Sequence, residues 1–378
     1  MAITSLARFD NAYTEIVQLA SRIIDTDKVD DPNEIAFLFR SLNIVTGRLN
    51  VPPRHRNLLL ALGVVLLLSL TTKLRGTASR RPPDWPLIQD TEAAGMSDDF
   101  ALVELRPSKR IMFHGEWFTT NRWGMRDREY EKVPAPGTYR IVLLGPSYVM
   151  GSGVADDEPF EALLEERLNQ EHTGEGYNKY EILNFGVAGH TPLAELWLLE
   201  NTALSFKPNA LFFVAHHLEE AKAVRHLASR ARRGMEIPYD YLRETARQAG
   251  IQQGMGQAEA ERRLEPYSSA IIFWTYHRLV SLAQQHGMLP VWIYLLPPET
   301  GISEEVGFHL TTLATEAGFS IVNLAHAYAN HDLETLIVAK WDRHPNAQGH
   351  QLIADHLYIA LQRQGLIPGD VSDQIETR

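Results

Sequence analysis

Cysteine is absent from all 378 residues, which excludes disulfides, thiolate metal sites and a cysteine nucleophile together. A basic surplus is absent as well. The formal net charge is −11, and aromatic and basic residues nowhere interleave as base-stacking surfaces require, so nucleic acid is not an expected partner. What remains is ordinary globular material, 44% apolar and 22% charged, enough for one or two domains with a full core.

The charge is unevenly placed. Residues 1–56 carry seven basic and seven acidic side chains, so the whole excess of acid lies after Thr72. Between the two parts, Asn57 to Thr72 contains no ionisable residue. At about 1.5 Å per residue it reaches roughly 24 Å, against ~30 Å for a hydrocarbon core. It is apolar on every side, whereas a surface helix shows a polar stripe. More than fifty residues precede it, too many for the basic region of a signal peptide. The stretch 57–72 is therefore expected to be a single transmembrane helix, a buried core helix being the alternative. Arg48, Arg54 and Arg56 before it are matched by Lys73, Arg75, Arg80 and Arg81 after it, so the positive-inside count does not orient it.

Residues 1–56 show apolar residues at helical spacing (Ile16, Leu19, Ile23, Ile24, then Ile35, Phe37, Leu38, Leu42), which predicts a helical N-terminal segment. Residues 73–100, with Arg80-Arg81-Pro82-Pro83 and few periodic apolar positions, read as a linker. A large domain is expected over 101–366, followed by a tail at 367–378. Continuous apolar runs at Tyr139–Leu144, Tyr180–Phe185, Ala210–Ala215, Pro290–Leu295 and Ser320–Leu324 alternate with helical stretches. That pattern predicts an α/β fold: a three-layer α/β/α sandwich with a mostly parallel, about five-stranded sheet buried on both faces. Residues 217–266 interrupt the rhythm with a polar, arginine-rich helical insertion on the loop after the third strand, where a lid over the ligand crevice and a solvated decoration are both open.

Two sites carry chemistry. Ser147, in Leu144-Gly-Pro-Ser147-Tyr-Val-Met-Gly151, leaves the carboxyl end of the first strand. Far downstream, Trp341-Asp342-Arg-His344-Pro-Asn-Ala-Gln-Gly-His350 offers a carboxylate and an imidazole two apart, which an extended segment presents on one side. An imidazole accepts and returns a proton near neutrality, so Ser147 as nucleophile, His344 as base and Asp342 as its orienting acid form the candidate catalytic set. Taken singly, a serine after Gly-Pro is more often a turn residue than a nucleophile, and Asp342-Arg-His344-Pro345-Asn reads as the opening of the last helix with Pro345 in its first turn; together their placement points to a hydrolase.

On these segments the sequence resembles the SGNH, or GDSL-like, hydrolase family over residues 116–365. Gly145-Pro146-Ser147 with its continuation resembles the first block, Leu183-Asn184-Phe-Gly186-Val-Ala-Gly189-His-Thr the second, and Asp342-Arg-His344-Pro-Asn the last. Asn121-Arg-Trp-Gly124-Met-Arg126 resembles the lead-in of membrane-associated members. The resemblance implies an oxyanion hole formed by the backbone amides of Ser147 and Gly189. Two positions depart from the pattern: Pro146 replaces the aspartate before the serine, and Phe213-Val-Ala-His216-His217-Leu-Glu219 lacks the asparagine that completes the oxyanion hole. His217 or His216 then supplies that donor, and His217 is the expected one. The G-x-S-x-G elbow of the α/β-hydrolases is absent, and the adjacent histidines lack the H-E-x-x-H spacing of a zinc site.

The expected activity is that of a membrane-anchored serine esterase or O-acyltransferase acting on acyl esters of envelope glycans or lipids. It needs no cofactor and no metal. The expected partners are the acyl-ester substrate, the lipid bilayer through 57–72 and a membrane protein through 1–72. The expected location is the inner membrane as a single-pass protein with the large domain periplasmic. The alternative is a silent SGNH-fold scaffold of a membrane complex.

Overall fold

The structure is a computed structural model that describes residues 82, 85–172, 176–299 and 302–368. The expected helical segment 1–56, the span 57–72 and nearly all of the tail lie outside the described residues. Among those described, no helix is long and apolar enough to cross a membrane.

Four short strands open the described chain: β1 (Ala94–Met96) and β2 (Val103–Leu105) pair antiparallel, as do β3 (Arg110–Phe113) and β4 (Glu116–Thr119). The central sheet follows, from β5 (Thr138–Leu144), β6 (Lys179–Asn184), β7 (Ala210–Ala215), β8 (Leu289–Tyr294) and β9 (Ser320–Asn323). Its order is β6-β5-β7-β8-β9 and every pairing is parallel. The expected α/β architecture with a five-stranded parallel sheet is therefore what the chain adopts.

The layers follow from period-2 alternation within continuous apolar strands. Val142, Leu144, Leu211, Phe213 and Trp292 point to one face, where they meet α3 (Pro192–Asn201), α4 (Glu219–Arg232), α7 (Ser268–Gln285) and α8 (Glu304–Ala317). Ile141, Leu143, Phe212, Val214 and Ile293 point to the other, against α2 (Phe160–Glu171) and α9 (Ala347–Arg363). Each such side chain taken fully out of water contributes about 1.5–3 kcal/mol, so both faces hold the sheet. Local signals bound the helices. Ser303 accepts from Glu305 N at the start of α8, and Gly318 ends that helix in the left-handed region at φ +103°.

Two expectations need correcting. The stretch 73–100, read as a linker, is already folded before residue 100: Ile88, Ala93, Ala94 and Phe100 are buried, and the compact unit begins at Pro82. The three-residue strands here are too short for periodicity to register. The insertion 217–266 is neither a free lid nor a solvated decoration. Its helices α4, α5 (Asp240–Gln248) and α6 (Gln257–Leu264) bury Ala223, Leu227, Leu242, Ala246, Ala260 and Leu264 in the same core as the sheet. Half of its eight arginines pair with a carboxylate three or four residues away, among them Arg247 with Glu244 at 2.6 Å and Arg263 with Glu259 at 2.7 Å, which makes the sequence look more polar than the packing.

A third, smaller core ties the strands at the start of the chain to the business end of the sheet. Ile88, Ala94, Leu105, Phe113 and Phe118 pack on Met150 and Val187. Those two residues follow Ser147 and precede Gly189, so the early hairpins brace both.

Candidate active site

Strand β5 delivers the candidate nucleophile, Ser147. After Leu144 the chain passes Gly145, where a Cβ would overlap Val149 and lie 3.1 Å from Val214, so the turn closes only around glycine. Pro146 then takes φ −82°, close to the angle its ring imposes, and its carbonyl accepts from Val149 N (3.0 Å) and Met150 N (3.1 Å). The proline that departs from the resembled pattern thus fits the backbone as it stands. Ser147 opens the one-turn helix α1 (Ser147–Met150), which Gly151 ends at φ +72°.

The candidate base and its candidate orienting acid, His344 and Asp342, arrive on β11 (Asp342–Pro345), paired antiparallel with β10 (Ile337–Ala339). The extended backbone places side chains 342 and 344 on one side, as their spacing predicts. Pro345 ends the strand, and Asn346 caps α9 by accepting from Gly349 N at 3.1 Å. Asn346 Nδ2 also donates to Thr335 O at 2.9 Å, fixing where the chain passes from the strand that bears His344 into α9. The Ser147 hydroxyl donates to His344 Nε2 at 2.7 Å, and His344 Nδ1 donates to Asp342 Oδ1. Oδ1 also accepts the His344 backbone N–H at 3.1 Å. Burial pushes the Asp342 carboxyl up, but the bond and charge of His344, with a bond from Trp85, outweigh it and hold the group well below the usual carboxylate range. The structure therefore brings Ser147, His344 and Asp342 into one hydrogen-bonded chain.

Gly189 stands in the left-handed region at φ +85°, with nothing within 4 Å of a would-be Cβ. Among the described residues, neither the Ser147 nor the Gly189 backbone N–H donates to a protein acceptor. The two turns are held together by Asn184, which is fully buried. Its Nδ2 donates to Val149 O (2.8 Å) and Glu161 Oε1 (2.7 Å), and its Oδ1 accepts from Gly186 N at 2.9 Å. Gly186 comes so close to the backbone of Met150 that a Cβ would overlap it.

Leu144 pairs with Phe213 across β5 and β7, so His216 and His217 emerge at the same sheet edge as Ser147. They divide. His216 is buried and turned inward, its Nδ1 accepting from Leu218 N at 3.0 Å and its Nε2 3.7 Å from Glu219 Oε1. His217 is partly exposed, with Nε2 4.0 Å from Glu299 Oε1, which leaves it as the imidazole available to a ligand. Burial lowers the pKa of His217, and the nearby Glu299 charge opposes that shift. No metal-holding group of three or more His, Asp or Glu side chains occurs among the described residues.

Three participants escape a reading of the sequence. Arg126 is 3% exposed. Its Nη1 donates to Met150 O at 3.1 Å and to Gly151 O, and its Nη2 to Trp117 O at 3.2 Å and to Val154 O. The lead-in motif contains it, but nothing local marks it as the clamp on the turn after Ser147. Asp127 accepts from Asn184 N at 2.8 Å, and Trp85 reaches Asp342; neither bears a local signal.

No family model matches the chain, and no curated protein matches it. Solved structures do. The esterase EstA from Pseudoalteromonas sp., in a form inhibited by monoethylphosphonate, is 15% identical, with 60% of this chain and 99% of that chain covered at a TM-score of 0.37. A catalytic mutant of Axe2, an acetylxylan esterase from Geobacillus stearothermophilus, is 14% identical over 59% and 94% of the chains, TM-score 0.39. A two-domain esterase active on acetylated mannans is 14% identical over 61% and 51%, TM-score 0.40.

Proposed function

We propose that this chain is an SGNH-type serine hydrolase that cleaves or transfers the acyl group of a carboxylic ester. The carrying observation is the chain from Ser147 Oγ through His344 to Asp342, with two backbone N–H groups at Ser147 and Gly189 left unbonded among the described residues. Ser147 Oγ attacks the acyl carbonyl while His344 Nε2 takes its proton. The developing oxyanion lies between the two amides, with His217 as third donor. The tetrahedral adduct collapses, and the alcohol leaves with the proton that His344 holds. Water, or a sugar hydroxyl in the transferase case, then attacks the acyl-serine by the same route in reverse. The likeness in name of the esterases above is consistent with this reading.

The finer elements belong to the same proposal: a membrane anchor at 57–72, a periplasmic hydrolase domain, and acyl esters of envelope glycans or lipids as substrates. The domain plan and any contact of residues 1–72 with a membrane protein belong there too. The full chain is tested with a fluorophosphonate probe and p-nitrophenyl acetate, comparing wild type, Ser147→Ala and His344→Ala. Labelling and turnover that disappear in both variants support the reading; a folded wild type that neither labels nor hydrolyses sinks it.

One observation favours a second reading, a silent scaffold: the block that should bear an asparagine donor presents His216 turned into the core. Absence of labelling in the wild type is its expected result.

A further inference from the structure

Oδ1 of Asp342 serves the imidazole, and Oδ2 has a different partner. It accepts the indole N–H of Trp85 at 2.9 Å across 257 residues. Trp85 lies three residues past the start of the compact unit and outside every motif that carries the family resemblance. Its ring is built into the site. It stacks on His114 with centroids 4.3 Å apart and planes 13° apart, and His114 stacks on Phe113 at 3.8 Å and 20°. Phe113 belongs to the small core that also holds Met150. His114 Nε2 bonds Pro86 O at 2.9 Å; a carbonyl only accepts, so this nitrogen carries a proton and clamps the backbone next to Trp85. His114 Nδ1 sits 3.4 Å from Asp342 Oδ2, and Trp341 meets the Trp85 ring edge-on at 5.8 Å.

The physical consequence concerns the plane of one carboxylate. The terminal torsion of aspartate is broad and roughly two-fold, so bonds to Oδ1 alone leave the group free to swing its lone pair off His344 Nδ1. A donor on Oδ2, rigid because the indole is pinned between other rings, removes that freedom. It also compensates a charge that burial would otherwise disfavour.

We propose that Trp85 is a positioning residue for the Ser147–His344–Asp342 chain, and that the segment entering the domain at Pro82 is therefore part of the catalytic unit. The proposal rests on the serine-hydrolase reading above. Among the described residues, the indole hydrogen bond of Trp85 goes to Asp342 and its ring contacts to His114 and Trp341, so it acts on His344 and Ser147 through Asp342.

The test uses the full chain as wild type, Trp85→Phe and Trp85→Ala. Three quantities are followed: p-nitrophenyl acetate kinetics, thermal melting, and the far-downfield proton resonance of the imidazole N–H shared with Asp342. Trp85→Phe keeps a ring against His114 and removes only the donor. It is expected to melt near wild type, to lose roughly tenfold in kcat with KM little changed, and to shift or broaden the downfield resonance. Trp85→Ala adds a fall in melting temperature. A Phe variant with wild-type kcat and an unmoved resonance overturns the proposal, as does a loss of kcat that tracks melting temperature while the resonance stays in place. If the wild type does not hydrolyse, the serine-hydrolase reading fails on its own. The resonance then decides: moved in Trp85→Phe it supports the positioning role, unmoved it overturns it.

Discussion

The guanidinium of Arg126 holds the carbonyl of Met150 at 3.1 Å, three residues beyond Ser147, so the helix that presents Ser147 is closed from behind by a buried cation. Four carbonyls, those of Met150, Gly151, Trp117 and Val154, depend on this one side chain. Arg126→Ala strands them away from water, and a loss of roughly 3–5 kcal/mol in stability is expected. Arg126→Lys restores charge but not the fork, and is expected to recover less than half of it. Urea unfolding of both variants measures this; a loss below about 1 kcal/mol for the alanine would show that the clamp is dispensable.

Replacing the carboxylate is expected to uncouple geometry from chemistry. In Asp342→Asn the side chain keeps its shape and the Trp85 bond falls on an amide group, but His344 Nδ1 no longer faces a carboxylate. A drop of about 10³- to 10⁴-fold in kcat is expected, with the fold intact. Pre-steady-state acylation by p-nitrophenyl acetate reads it, and a drop of less than tenfold would remove Asp342 from the reaction.

In the proposed reaction His217 is the third donor to the oxyanion. His217→Ala is expected to lower kcat by on the order of 100-fold with KM little changed, while His217→Asn, which supplies an amide N–H near the same edge, keeps most of the activity. Equal activity in wild type and the alanine variant would leave the oxyanion to the Ser147 and Gly189 amides alone.

His350 is fully buried on α9, its Nδ1 accepting from Phe160 N at 3.1 Å. Burial lowers its pKa to about 3, with the charges of Arg126 and His344 adding to the effect. The native state keeps this ring neutral while the unfolded chain protonates it below about 6.5. Its contribution is thus present above 6.5 and lost as pH falls toward 3. Between pH 6.5 and pH 4 the loss is about 3 kcal/mol from this residue. Comparing urea unfolding of wild type and His350→Asn at both pH values tests it, since the difference between the two proteins should narrow by that amount in acid. An unchanged difference would contradict the buried neutral state.

Glu161 works in the opposite sense. Burial raises its carboxyl pKa to about 7 against the opposing bond from Asn184. Between about 4.5 and 7 the native state holds a proton that the unfolded chain has released. Stability therefore falls as pH rises through that window and levels off above it. Glu161→Gln keeps an acceptor for Asn184 and removes the titration. Relative to wild type it is expected to gain roughly 2–3 kcal/mol at pH 8 over pH 5, measured by urea unfolding at the two values. A pH-independent difference would refute it.

The amino-acid sequence by itself determined the elements whose causes are local. Continuous apolar runs such as Ala210–Ala215 become strands buried on both faces because side-chain alternation and β-branched packing act within a few residues. The pair Asp342 and His344 is legible for the same reason: extended backbone puts i and i+2 on one side wherever the strand lies. Tertiary structure alone decided what joins those segments. That His344 meets Ser147, that Arg126 closes the turn behind it, and that His216 turns inward while His217 does not are all outcomes of sheet order and register. So are the folded state of residues 88–100 and the burial of an insertion whose surface arginines hid its apolar face. The sharpest case is Trp85, whose indole reaches Asp342 across 257 residues. A hydrogen bond is fixed by a few ångströms of distance and angle, and no periodicity or spacing along the chain encodes which two distant atoms the packing will bring within that range.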